Sequence, residues 1–182
     1  MAKTTYSSDR GGSIQEVQGS DGRHNVSSRT DSRMYYVSRD LGQAYVLRIE
    51  DDDAAANDLV AYLRNDSKDK RLFIDDIHFN SENAATFKLA FGDAVAATGT
   101  SVTPVNLNRA SSNDADVTAL GNAAVGGVGA STFFSSVRVG AGGFVEYNPK
   151  DALILGQNDN VIVEYDTGST GDIEIDIFFF IE

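Results

Sequence analysis

The run Asp172–Ile181 alternates Ile173, Ile175, Ile177, Phe179 and Ile181 against Glu174 and Asp176. A strict period of two buries one face of a strand and wets the other. Thr86–Phe91 repeats the pattern with Phe87, Leu89 and Phe91. Arg71–Phe79 predicts another strand, with Phe73, Ile77 and Phe79 on one face. Asp75 interrupts that face, so its carboxylate must be hydrogen-bonded or lie at a rim. Further β-patterned runs are Ala44–Ile49, Leu59–Leu63, Phe133–Val139, Phe144–Tyr147, Ala152–Leu155 and Val161–Tyr165. Ser101–Leu107 also reads as extended, but Pro104 demotes it to an edge strand or loop.

Turn signals separate these runs. Asn65–Asp69 carries side chains suited to capping their own backbone, and Thr167–Gly171 predicts a hairpin. Residues 108–132 read as a long loop, with Ser111, Ser112, Asn113 and Asp114 leading into the Ala/Gly-rich stretch Ala123–Ala130. A loop of that length is usually functional or mobile. No helix longer than one or two turns is expected, and Asp53–Leu63 is the ambiguous stretch. About nine or ten short strands with this spacing predict an all-β fold: an antiparallel β-sandwich of the jelly-roll type.

Residues 1–33 lack the pattern. They are rich in Ser, Gly, Arg, Asp and Thr, and Ile14, Val17 and Val26 stand alone. Such a segment buries too little to offset its ordering entropy by itself. It reads as an extended or disordered N-terminal arm, either a free tail or one that orders on a partner subunit. The sandwich domain is then residues 34–182.

Charge follows the same division. The arm carries Lys3, Arg10, Arg23, Arg29 and Arg33 against Asp9, Glu16, Asp21 and Asp31, a net of +1 within a chain total of −12. The body is therefore strongly acidic and repels phosphate backbones, so no nucleic-acid partner is expected. The absence of cysteine excludes disulfides, thiolate metal sites and cysteine nucleophiles. No apolar run approaches the roughly 18 residues that span a bilayer. Met1–Tyr6 has no apolar signal-peptide core, so secretion by a cleaved signal and membrane insertion are not expected.

Candidate chemistry is sparse. Of the two histidines, His24 lies in the arm; His78 shares a strand face with Asp76, a pair that could orient a general base. No nucleophile accompanies them, and no Gly-x-Ser-x-Gly elbow is present. Asp51-Asp52-Asp53 lacks the oxygen spacing and glycine of a calcium loop. Asp75 and Asp76 point to opposite faces, whereas Glu174 and Asp176 share one, with Asp172 beyond. Gly126-Gly127-Val128-Gly129 lacks the Lys-Ser/Thr of a phosphate loop. Tyr35, Tyr36, Tyr45, Tyr62, Tyr147 and Tyr165 could form a sugar platform, but most sit within strand patterns and predict core or rim. The chain supplies no catalytic, cofactor-binding or metal-ligating set, and reads as a non-enzyme.

Two stretches carry a family resemblance. Leu63–Ile77 resembles the strand, Asn/Ser turn, basic residue, apolar strand element of small virion structural proteins of tailed bacteriophages, and Thr103–Ala115 resembles a second such element. The resemblance implies a jelly-roll virion protein: a capsid decoration (cement) protein, assembled in the host cytoplasm as a homotrimer on the major capsid protein of the head. In that setting Arg10, Arg23, Arg29 and Arg33 would meet acidic capsid patches, and the 108–132 loop would lie at a contact. The alternative is a receptor- or carbohydrate-binding module of a phage tail or fibre. A cupin-type enzyme would need clustered histidines, which two distant ones do not supply.

Overall fold

The computed structural model describes residues 14–18, 24–28, 32–93, 97–150 and 152–182, the first two segments as backbone alone. Those two segments are β1 (Ile14–Gln18) and β2 (His24–Ser28), paired antiparallel as a hairpin. The body holds twelve further strands among the described residues: β3 (Ala44–Ala54), β4 (Asp58–Asn65), β5 (Leu72–Ser81), β6 (Ala85–Gly92), β7 (Thr98–Ser101), β8 (Val105–Asn106), β9 (Val117–Gly126), β10 (Ala130–Val139), β11 (Gly143–Tyr147), β12 (Leu153–Leu155), β13 (Asn160–Gly168) and β14 (Gly171–Ile181).

They form two antiparallel sheets. The first runs β10-β6-β13-β4-β9-β7; the second runs β11-β5-β14-β3-β8, with β12 also pairing β5. Four strands of each, β10-β6-β13-β4 and β11-β5-β14-β3, have the order of an eight-stranded double Greek key, so the sandwich is a jelly roll. The segment between β6 and β10 extends both sheets past that frame. Its β9 adds to β4, β7 adds to β9, and β8 adds to β3. The inner faces meet in one core that includes Leu47, Ile49, Leu63, Ile77, Phe79, Phe87, Val163 and Phe179.

Two local features depart from the sequence reading, and a third resolves its one ambiguous stretch in favour of strand. First, β5 carries a bulge: β14 pairs Phe178 with Asp76 and Phe179 with Ile74, passing over Asp75. One extra residue reverses the inside-outside phase. Ile74 therefore joins Ile77 and Phe79 in the core, while Phe73 goes to the outer face against Phe180, ring to ring at 5.0 Å. Second, the expected 108–132 loop holds β9 and the start of β10. Its small residues serve close packing: a Cβ at Gly121 would meet Ile49 of the opposite sheet at 2.7 Å. Third, Asp53–Leu63 is strand and turn, with Asp58 accepting from the Ala55 amide at 2.9 Å.

A short helix closes the outer face of the second sheet. Ser32 caps α1 (Arg33–Tyr36) by accepting from the Tyr35 amide, and a π-type turn continues through Val37–Leu41. Met34 and Val37 bury against Phe73 and Phe180. The helix stops at Gly42 in the left-handed region, where a Cβ would strike Ser111 at 2.4 Å. Carbonyls in its last turn take partners from outside the helix. Asn108 donates to Ser38 O, Asn113 to Leu41 O, and Asn106 and Ser111 to Gly42 O. The stretch Thr103–Ala115 is therefore a clamp on the helix end.

Candidate docking face

The outer face of the second sheet divides into rows set by strand register. Residues paired directly across strands share a face. One row reads Glu146, His78, Asp176, Arg48 across β11, β5, β14 and β3. The next reads Asp76, Phe178, Val46, Val105 across β5, β14, β3 and β8. Phe144 projects from β11 onto His78, 5.1 Å between ring centres, and His78 lies 4.8 Å from Phe178. A stripe Phe144, His78, Phe178, Val46, Val105 thus crosses five strands. The helix covers Phe180 and Phe73 beside it but leaves the stripe's ends open: Phe144 is 61% exposed and Val105 62%.

Carboxylates border the stripe. Arg48 holds Asp176 through two hydrogen bonds of 2.8 and 2.9 Å and reaches Glu174 at 2.7 Å. The Asp76 carboxyl is pushed up, first by burial and then by the nearby charge of Glu146. One of its oxygens is buried without a hydrogen-bond partner. Beyond Asn80, the residues Glu50, Asp52, Glu82, Asp172 and Glu174 line a shallow acidic groove of about 340 Å³. The face is apolar along one line and negative on its flanks.

The sequence-level candidates fall in several places. Arg10, Arg23 and Arg29 lie outside the described residues. Arg33 sits in α1 with its guanidinium 4.1 Å from the Phe73 ring centre and paired to Glu182, so it is bound to the body. His78 and Asp76 do share the outer face, but His78 is flanked by the Phe144 and Phe178 rings. Asp51 is buried, and burial raises its carboxyl above the usual range. Among the described residues, no three His, Asp or Glu gather as a metal-holding group. The Gly129 amide donates to Asp93, so a carboxylate already occupies the glycine-rich turn. Tyr45, Tyr62 and Tyr165 are core residues rather than a platform; Tyr165 donates to Ser169 O at 2.8 Å.

A second cavity, of about 410 Å³, opens between Phe91–Asp93 and Ile154–Asn160. Its polar groups close loops: Asp93 accepts from Gly129, Asp159 from Gly156 and Asn160 from Gly92. Asn65 does similar work at the same end of the sandwich. Buried, it donates to Lys70 O and Leu155 O and accepts from the Ser67 amide. Leu63–Ile77 and Thr103–Ala115 thus each contain an asparagine-pinned turn.

The aromatic stripe escaped the sequence reading. Its signal is in β14, where the wet positions change from Glu174 and Asp176 to Phe178 and Phe180. An outer face that turns aromatic mid-strand needs a cover. Compared with known proteins, the chain matches no family model, no curated protein and no solved structure. Function therefore rests on the face itself.

Proposed function

We propose that the protein is a non-enzymatic structural component of a phage virion, a decoration protein that stabilises the head shell as a repeated jelly-roll module. The observation that carries this reading is the open stripe from Phe144 to Val105, an apolar band on a domain whose core is otherwise closed. Exposed apolar bands rimmed by polar groups are typical of protein contact surfaces. The resemblance of Leu63–Ile77 and Thr103–Ala115 to virion structural proteins supplies the setting. In this reading the body is a homotrimer on the major capsid protein. The arm's Arg10, Arg23 and Arg29 serve an acidic protein surface, while Arg33 anchors the arm to the body. Repetition over a lattice converts weak single contacts into avidity.

The test is antibody labelling of particles from a phage that encodes the chain. Regular labelling over the head supports the reading. Labelling confined to tail tips or fibres would move the protein to the receptor-binding class, and unlabelled particles would remove it from the virion.

A further inference from the structure

We infer that copies of this chain assemble head to tail, the β8 end of the stripe on one copy docking on the β11 end of the next. The inference rests on the reading of the chain as a self-assembling structural protein, but not on which surface the assembly coats.

The two ends of the stripe are unlike. At the β8 end, the Leu107 amide donates to Ala44 O, so Leu107 continues the β3–β8 ladder one step past Asn106. Val105 and Leu107 therefore share the outer face. The Asn113 side chain ties Leu41 O of the helix end to the same clamp. Leu41, Val105 and Leu107 are all exposed, and together they make an apolar corner. Charge at this corner is matched. In the helix and clamp, Arg33 pairs with Glu182 and Arg39 with Asp40, which leaves exposed Arg109 and Asp114.

The β11 end is aromatic and anionic. Phe144 stands exposed against His78, and Asp76 lies close to Glu146. Among the described residues, neither carboxylate meets a Lys or Arg, and one buried Asp76 oxygen has no hydrogen-bond partner. Such an oxygen calls for a donor from outside the chain. An apolar corner with a free cation and an aromatic end lacking one are complementary.

Like-end pairing fails on the same ground, because it sets Asp76 and Glu146 against their own copies in the next molecule. Pairing of unlike ends leaves one free β8 end and one free β11 end, so the contact repeats. A head-to-tail contact closes into a ring when the rotation allows it.

The native chain has no cysteine, which permits a direct test. Val105 and Phe144 of one chain stand four interstrand gaps apart, about 19 Å. The full-length double variant Val105→Cys, Phe144→Cys is treated with a thiol crosslinker shorter than that span, beside each single variant. The proposal predicts covalent species larger than a dimer from the double variant and no linked copies from either single variant. A double variant that stays unlinked or stops at the dimer would overturn it, and so would linked copies from a single variant. Charge exchange checks the pairing without cysteine. Arg109→Glu should weaken assembly about tenfold, and Glu146→Arg added to the same chain should restore it. Assembly unmoved by Arg109→Glu would also overturn the proposal. Virion labelling reads location rather than self-contact, so either result stands apart from the head-protein reading.

Discussion

The two outer faces of the sandwich are treated differently. On the first sheet, Ala90, Ile162, Tyr62 and Leu120 form one outward row that is buried together with Val125, with Val128 and Ala97 packed around them. That cover comes from the segment inserted between β6 and β10. On the second sheet, the helix at Arg33–Leu41 buries Phe73 and Phe180, Phe178 is partly buried against the same cluster, and Phe144 and Val105 stay exposed. The same chain thus closes one outer face and leaves half of the other open.

Substitutions under the two covers should have the largest effects. Phe180→Ala removes a fully buried ring stacked on Phe73 and should cost about 3–5 kcal/mol in denaturant unfolding. Val125→Ala thins the opposite cover and should cost about 1–2 kcal/mol. Equal effects would mean that the two covers are energetically alike and the contrast is only geometric. Asn106→Ala removes one of the hydrogen bonds to the Gly42 carbonyl together with those to Asn113 O and from the Asn108 amide. It should lower stability by about 1 kcal/mol and speed amide exchange in the helix before the sheets.

The stripe's border gives a smaller, pH-dependent effect. The raised Asp76 carboxyl binds its proton more tightly in the folded state than in the unfolded chain. Its influence therefore favours folding at low pH and declines as pH rises from the ordinary carboxylate range through the raised value. Asp76→Asn should flatten that part of the stability profile and stabilise the neutral-pH protein by about 0.5–1 kcal/mol. An unchanged profile between acid and neutral pH would mean that Asp76 contributes nothing to it.

Much of the fold is legible in the sequence. Ile173, Ile175, Ile177, Phe179 and Ile181 line the core, and Pro104 separates β7 from β8 as its missing amide requires. The capping turn at Asn65 is present, with the Ser67 amide donating to the Asn65 side chain. What escaped reading was phase and size. The bulge at Asp75 shifts Phe73 outward, and one extra residue leaves no mark in an alternation pattern. The small residues of β9 read as a loop, whereas Gly121 is small because Ile49 of the other sheet fills the place of its side chain. The docking face was half visible, since Phe178 and Phe180 occupy wet positions. Its position relative to the helix depends on tertiary packing, which single-strand periodicity does not carry.

The most direct test of the central claim is the absolute mass in solution of the full-length chain and of its Val105→Ser, Phe144→Ser double variant. Both side chains are exposed in the single chain, so the double variant should fold with nearly unchanged monomer stability. The account predicts an oligomer for the native chain and a monomer for the variant. A monomer in both, or an oligomer that survives the loss of both side chains, would contradict it.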